Sequence, residues 1–371
     1  MAANNKSPKV RYAVVGLGHI AQVAVLPAFA HAARNSALTA LVSNDPEKLK
    51  KLSRRYGGAH TYSYEEYDDC LRSGEVDAVY IALPNNMHAE YSIRAANAGV
   101  HILCEKPMAV TERECQSMIR AARKHKVKLM IAYRLHFEKA NLKAIEIVKS
   151  GKLGEPRVFN SLFGMQVKEG NIRTQAELGG GTLYDLGVYC INAARHLFQN
   201  EPVEAFGYTA ARNDRRFKEI DEMTSALLRF PGERVGSFTT SFGSADMASY
   251  EIIGTKGKLR LDPAYEYAMA LKLYVTIDGK MTSRTFPRRD QFAPELLYFS
   301  DCIRNNIEPE PSGEEGLADV RIVRALYRAA ETGRSVKLRS VPIRKRPTMD
   351  QEKHRPPVAK PKLIHAESAS T

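Results

Sequence analysis

The run KVRYAVVGLGHIAQVAVLPAFAHA constrains the fold of this chain more than any other stretch. A β-rich segment, Val10 to Val15, meets Gly16-Leu17-Gly18 and then turns into helix-forming sequence. Gly16, Gly18 and Ala21 stand at the GxGxxA spacing. The first glycine permits a tight turn, the second lets backbone approach a pyrophosphate, and the alanine allows close helix–strand packing. The helix that follows offers unpaired N–H groups, at His19 and Ile20, to an anion. The pattern is weak in isolation. Here it follows a strand and precedes a second one, ALTALVS, which is the context a dinucleotide site requires.

The end of that second strand is where a dinucleotide fold reads the ribose 2′ position. An NAD site commonly places an acid there. This chain has Ser43 and Asn44, with Asp45 one step later and Lys48 beyond. A hydroxyl and a lysine suit a 2′-phosphate, so the expected cofactor is NADP(H). The cations of PEKLKKLSRRYG also form the solvated face of a helix.

Further strand-like runs recur: VDAVYIAL before Pro84-Asn85, HILCE before Lys106-Pro107, and KLMIAY before Arg134. The helical stretches HAEYSIRAANAG and TERECQSMIRAARKH separate them. This alternation predicts an α/β fold, a doubly wound parallel sheet of the Rossmann type over about residues 9–134. Ligands in such sheets sit beyond the carboxyl ends of the strands. Pro84, Asn85, His88, Glu105, Lys106 and Arg134 therefore share one rim, near the nicotinamide end of the cofactor. His88 also suits a helix start, and Arg134, with the nearby His136, is a candidate for substrate hydroxyls.

At 371 residues the chain is long enough for two domains. From about residue 155 the runs VEAFGYTA, MTSALLRF, VGSFTTSF, YEIIG, KLRL and LKLYVTI are separated by turn signals, including Pro231-Gly232 and Asp278-Gly279. They predict an α+β second domain over 135–339, closed by helices at 292–306 and 315–332. One sheet face packs on helices. The other needs a cover, for which another subunit's sheet is the simplest candidate. Residues 340–371 are proline-rich, basic and aperiodic, and read as a disordered tail or as an arm held by something else.

The net charge of +13 raises nucleic acid as a ligand. About +4 of it lies in the tail, and neither a Cys/His finger nor a basic strand with interleaved aromatics is present. No nucleic-acid partner is expected. No apolar run is long enough to cross a bilayer, and MAANNKSPKV has no secretory character. The five cysteines are scattered, without the spacing of a disulfide framework or a metal site. A metal-free site in a cytoplasmic protein is the expectation, and neither Cys104 nor Cys190 has the partners of a nucleophile.

The stretch GGGTLYDLGVYCINAARHLF sets Asp185 and Tyr189 four residues apart, one turn on a helix. They are either proton-handling groups or a helix-start acid and a half-buried aromatic. Asn192 could share that face; His196, further on, reads as structural or peripheral.

Taken in order, AVVGLGHIA, YIALPNNMHAEY, CEKPMA, AYRLHF, GGGTLYDLGVYCIN, EIIGTKGKLRLD and PSGEEGLADVRIVRALYRAAETGRSV resemble the glucose–fructose oxidoreductase/inositol dehydrogenase (Gfo/Idh/MocA) family over residues 9–339. The resemblance implies a Rossmann domain followed by an α+β domain with a large open, mainly antiparallel sheet. It also implies dimers or tetramers, and hydride transfer between NAD(P) and a sugar or polyol carbon. The family's lysine in EKP matches Lys106, and its aspartate and acid/base position match Asp185 and Tyr189. Tyrosine at the last position, where many relatives carry histidine, is similar to the glucose–fructose and aldose–aldose oxidoreductase branch, which holds NADP(H) tightly. That branch's tryptophan near the cofactor is absent here, and Arg173 in NIRTQAEL is the candidate to take its place. Its export signal and long N-terminal arm are also absent.

A free tyrosine, with a pKa of about 10, is a poor base near neutrality. A neighbouring ammonium favours its phenolate. The expected roles follow. Tyr189 accepts the sugar hydroxyl proton in oxidation, Lys106 tunes it and orients the hydroxyl, and Asp185 binds sugar and fixes Lys106. The function expected is oxidation of an aldose at C1 to a lactone, with hydride passing in some cases to a second sugar. The alternatives are a cofactor-releasing polyol or inositol dehydrogenase and a noncatalytic NADP-dependent regulator.

Overall fold

In a computed structural model, which describes residues 8–343 and 345–370, the first sheet has six parallel strands. They are β1 (Val10–Val15), β2 (Ser36–Val42), β3 (His60–Tyr62), β4 (Ala78–Ile81), β5 (His101–Glu105) and β6 (Leu129–Ala132). Their order is β3-β2-β1-β4-β5-β6, so the chain winds outward from β1 in both directions. Helices cover both faces. The strands are therefore apolar on both sides, and every residue of β4 and β6 is buried. The doubly wound sheet expected over 9–134 is present, with β3 as an added edge strand.

The crevice lies where β1 and β4 send their connections to opposite faces. Gly16 leaves β1 at φ +90°, and a Cβ there would sit 2.5 Å from the Ala82 carbonyl oxygen. Only glycine fits this crossing. The helical segment after the turn takes a π-helical form over Ala21–Val25 before the helix Leu26–Ala32.

The second sheet has nine strands: β7 (Pro156–Gln166), β8 (Glu204–Ala210), β9 (Met223–Phe230), β10 (Arg234–Ser241), β11 (Gly243–Gly254), β12 (Gly257–Leu261), β13 (Leu271–Ile277), β14 (Lys280–Phe286) and β15 (Val336–Lys337). Their order is β14-β13-β12-β11-β7-β10-β9-β8-β15. All neighbours are antiparallel except β7 with β10, because the helix Val188–Phe198 lies in the connection between them. Asp278 and Gly279, at φ 49° and 74°, make the β13–β14 turn that their sequence announces. Along β7, Phe159, Ser161 and Phe163 point into the core while Val158, Asn160 and Leu162 face outward.

Two features depart from the expected division of the chain. The helix Ala293–Arg304 does not belong to the second domain's core. Phe292, Leu296, Leu297 and Phe299 share a core cluster with Tyr12, Val14 and Phe29, and Ser300 Oγ lies 2.8 Å from Tyr12 Oη. This helix returns to cover the first sheet, so the unit 135–339 is not contiguous in space. The helix Gly313–Thr332 packs on both the helix Glu112–Lys124 and β8, tying the domains together.

The described part of 340–371 is an arm laid on the folded body, irregular apart from a helical turn at Met349–Gln351. Arg346 Nη2 donates to Glu201 Oε1 at 2.7 Å, Gln351 Nε2 to Glu310 Oε2 at 2.6 Å, and Arg355 Nε to the His31 carbonyl at 3.0 Å. Its basic side chains find carboxylates and helix-end carbonyls on the folded body, so low periodicity does not mean disorder here.

Candidate active site

A cleft of about 570 Å³ runs from the glycine turn to the second sheet. It is lined by Gly16, Gly18, His19, Ile20, Ser43, Lys48, Pro84, Asn85, His88, Glu105, Lys106, Arg134, Asp185 and Tyr189. These residues expected from sequence thus lie on one surface, whereas His136 and Asn192, also named from sequence, do not line it.

At the end formed by β2, Ser43 is buried and its Oγ accepts from Asp45 N at 3.2 Å. Asp45 caps the helix Pro46–Arg55, accepting from Glu47 N and Lys48 N at 3.0 Å each. Its carboxylate is held below its ordinary range chiefly by that backbone donation. One oxygen of the acid nearest the ribose position is thereby committed to the helix, and the other faces His365 Nδ1 at 2.8 Å and Lys48 Nζ at 3.9 Å. Ser43 and Lys48 are left facing the cleft, a lining that suits a 2′-phosphate better than a diol.

A Cβ at Gly18 would meet no atom within 4 Å, so the turn leaves room on the cleft side where a pyrophosphate passes. The turn, the helical start at His19 and the cationic ribose end fit a dinucleotide. Gly16–Ile20 would hold its phosphates, Ser43 and Lys48 its 2′-phosphate, and Pro84, Asn85 and Glu105 would flank the nicotinamide end.

At that end Lys106, just past β5, donates from Nζ to Asp185 Oδ1 at 3.0 Å and to the Asp185 carbonyl at 2.9 Å. Arg173 Nε donates to Asp185 Oδ2 at 2.6 Å. Burial alone would push the Asp185 carboxyl up. Arg173 and then Lys106 overcome it and hold the group well below the usual carboxylate range. For Lys106, burial favours the neutral amine, but Asp185, Tyr189 and Glu105 more than offset it, and the pKa is raised. Lys106 is a standing cation at neutral pH.

Asp185 sits in a π-helical turn, Leu183–Gly187, that precedes the α-helix Val188–Phe198. The regular one-turn spacing of Asp185 and Tyr189 expected from sequence is therefore altered. The three glycines before them approach protein rather than ligand: a Cβ on Gly180 would lie 2.4 Å from the Arg173 carbonyl oxygen. That close passage brings the Arg173 loop onto Asp185.

Tyr189 is half-buried between two cations. Lys106 Nζ stands 4.6 Å from the ring centroid and the Arg134 guanidinium 5.0 Å from it. Lys106 thus meets the ring face while its hydrogen bonds go to Asp185. Arg134 is buried, donates to Gln291 Oε1 and the Tyr265 carbonyl, and stacks 5.3 Å from the Tyr267 ring. It orders the wall formed by Tyr265, Glu266 and Tyr267. Burial raises the Glu266 pKa.

Three expected roles are corrected. Both His88 ring nitrogens face carbonyls, Pro107 O at 2.8 Å and Leu83 O at 2.9 Å, so this buried ring braces two rim loops and has no free polar atom for a ligand. His136 is buried, with Nδ1 at 3.0 Å from Glu310 Oε1 and Nε2 at 2.8 Å from Asn192 Oδ1. It does not face substrate. Asn192 also donates to Glu315 Oε1 at 3.2 Å and Asp319 Oδ2 at 3.1 Å, which removes it from Tyr189's working face. His196 joins the same network through Glu315 Oε1 at 2.8 Å, a structural role. His136, His196 and Glu315 could offer three metal-ligand atoms within 4.8 Å of one another, but Arg195 Nη1 already donates to Glu315 at 2.8 Å.

Sequence reasoning missed the clamp of Arg173 on Asp185, the Tyr265–Tyr267 wall, and residues 367–370, which also line the cleft. The Arg173 loop carried a signal, its aromatic-poor NIRTQAEL. The wall lies in DPAYEYAMA, where two tyrosines flank an acid between strands.

Comparison with known proteins agrees with this geometry. Residues 10–133 match the oxidoreductase family with NAD-binding Rossmann fold (GFO_IDH_MocA), and residues 141–260 match the GFO/IDH/MocA C-terminal domain. The D-xylose 1-dehydrogenase [NADP(+)] of Haloarcula marismortui is 33% identical over 337 residues, covering 89% of this chain and 93% of the relative. The crystal structure of aldose-aldose oxidoreductase from Caulobacter crescentus complexed with glycerol superposes with a TM-score of 0.85 at 38% identity, over 89% of this chain and all of that one. A 3-ketoreductase from Actinomadura kijaniata, in complex with NADP and TDP-benzene, superposes with a TM-score of 0.79 at 27% identity, over 86% and 98% of the two chains. The chain belongs to the Gfo/Idh/MocA family. It is an NADP(H)-dependent oxidoreductase, of a kind whose relatives act on the CH–OH groups of sugars.

Proposed function

We propose that the protein oxidises a free aldose at C1 to the lactone, keeps NADP(H) bound, and returns the hydride to a second sugar. The observation that supports an unphosphorylated, neutral sugar is the charge state of the substrate end. Lys106 and Arg173 are spent on Asp185, and Arg134 is spent on Gln291 and the Tyr265 carbonyl. The facing side carries Glu266 and Asp246. Phosphate or nucleotide groups on a substrate would meet acids without an uncommitted partner, whereas neutral sugar hydroxyls find both donors and acceptors.

The bound nicotinamide supplies the hydride acceptor, and the residues supply the rest. Tyr189 takes the C1 hydroxyl proton. Lys106 and Arg134 oppose the negative charge that develops on its oxygen. Asp185 holds Lys106 in place rather than acting as a base, since both its oxygens are bonded to cations. Tyr265 is buried behind Tyr189 and backs this end of the cleft, while the partly buried Tyr267 lines it beside the sugar. Tyr189→Phe is expected to cut turnover by at least ~100-fold with NADPH still bound, a range typical of acid–base catalysis; near-normal kcat in that variant would remove Tyr189 from the role.

The reading is tested by absorbance and fluorescence near 340 nm on protein as purified, with aldoses added and no external cofactor. A signal that rises with one sugar and falls with a second supports it. Turnover only when NADP is supplied points instead to a cofactor-releasing dehydrogenase.

We also propose that two copies pair through the outer face of the second sheet, where Leu162, Tyr208 and Leu227 are exposed at 46%, 69% and 49%. Leu227→Asp should convert a dimer or tetramer to smaller species by light scattering. Among the described residues no helix is long and apolar enough to cross a membrane, and all five cysteines are free and buried, which suits a reducing compartment such as the cytoplasm.

A further inference from the structure

The last residues of the chain run across the mouth of the cofactor cleft and are held on both of its lips. On the first-domain side, Gln22 is fully buried just after the glycine turn, and its side-chain amide grips one residue of the tail. Its Nε2 donates to the Ile364 carbonyl at 2.8 Å, and its Oε1 accepts from Ile364 N at 2.9 Å. The Ile364 side chain is 6% exposed and joins the core cluster containing Leu17, Ala21 and Val25. Two residues earlier on the path, Arg55 Nη1 donates to the Lys362 carbonyl at 2.8 Å. One residue later, His365 Nδ1 lies 2.8 Å from Asp45 Oδ2, beside the ribose-binding Ser43 and Lys48.

The chain then crosses to the other domain. Lys168 N donates to the Ala369 carbonyl at 2.9 Å, and Ser370 forms an antiparallel bridge with Val167 just beyond β7. Between these anchors, Glu367, Ser368, Ala369 and Ser370 line the cleft opposite the glycine turn. Both ends of the crossing are seated by main-chain hydrogen bonds, and one by a buried side chain. This is a built contact rather than a tail lying on a surface.

We infer that residues Ile364–Ser370 are part of the NADP(H) site, a wall that closes over the dinucleotide and must swing away for it to leave. This inference rests on the cofactor assignment and supplies a physical cause for the retention proposed above. Its grip on the first domain comes from a few side chains, Arg55, Gln22, Ile364 and His365, so loosening one of them should loosen the wall. By linkage, a segment whose contacts tighten cofactor binding is itself steadied when the cofactor is bound.

Two measurements test it, neither of which needs a sugar, so failure of the aldose assignment leaves both readable. In full-length Gln22→Ala and Ile364→Asp proteins loaded with NADPH, release into excess NADP is followed by loss of NADPH fluorescence. Release at least 10-fold faster than wild type in both is expected. A lowered thermal midpoint with an unchanged release rate would show a merely structural tail and overturn the inference. In wild-type protein, trypsin cleavage after the exposed Lys362 should slow several-fold when NADPH is saturating; equal cleavage with and without it would also overturn the inference.

Discussion

Replacing Lys106 by alanine removes one of the two cations beside Tyr189 while leaving Asp185 paired with Arg173. The size of the effect can be worked from the geometry. The ammonium stands 4.6 Å from the Tyr189 ring centroid, and a full charge on the phenol at about that range, at an effective dielectric constant of about 20, is worth about 4 kcal/mol. With the proton about half transferred in the transition state, about half of that is felt, ~20–30-fold in rate. The ammonium also orients the reacting hydroxyl, and losing a charged hydrogen bond costs about 1.5–3 kcal/mol more. Together these come to about 3.5–5 kcal/mol, an expected fall in kcat on the order of 10³-fold. The assay is single-turnover reduction of bound NADP at 340 nm under saturating aldose, with NADPH affinity titrated separately to show that the site still forms. Because Lys106→Ala leaves a hole beside a carboxylate, a small alkylammonium ion should restore part of the rate and a neutral alcohol of the same shape should not. A loss under ~5-fold, or equal rescue by the alcohol, would refute the argument that Lys106 works through its charge.

Two further outcomes follow from the same charges. Lys48→Ala should weaken NADPH binding by ~10-fold, or about 1.4 kcal/mol, and leave NADH binding unchanged; equal losses would remove Lys48 from the 2′-phosphate. Asp185 has a folded pKa below its unfolded value of about 3.9, so its stabilisation is fully present above that value and is lost as pH falls through the lower folded value. Asp185→Asn leaves Lys106 and Arg173 buried without a countercharge and should cost about 3 kcal/mol at pH 6. The gap from wild type, measured by urea unfolding, should narrow below about pH 4. A gap of the same size at pH 6 and pH 3.5 would show that the carboxylate's charge is not what holds the clamp.

How much was legible in the chain depended on how far each residue's partners lie along it. The glycine turn was readable because its meaning is local: Gly16, Gly18 and Ala21 act within one strand–helix unit, and the crossing with Ala82 only confirms the need for glycine. Ser43, Asp45 and Lys48 were readable for the same reason, since the cap that occupies Asp45 lies within three residues of it. His136 was misread because its partners are remote, Asn192 at 56 positions and Glu310 at 174. A histidine after a strand end looks like a ligand group until that amide and that carboxylate are placed beside it. The helix Ala293–Arg304 was readable as a helix, but its apolar stripe does not state which sheet it covers. The tail was opaque for a related reason. Its stability comes from single long-range contacts, such as Gln22 with Ile364 at 342 positions, rather than from any periodicity of its own.

The site's logic lies in how its charges are committed. Two of the three cations near Tyr189 are tied to one buried carboxylate, and the third is tied to a side-chain amide and a carbonyl. A free lysine in that position would be drawn toward any anion and would lose its charge more readily on burial. Bound to Asp185, Lys106 stays charged and stays still, so its field on Tyr189 needs no reorganisation when the proton moves. The cost is borne by Asp185, which gives both oxygens to the clamp and so has little left for general-base work. That division explains why the proton-accepting role falls to a tyrosine: it is the group at this end of the cleft with a titratable proton, two adjacent cations and no committed salt bridge of its own.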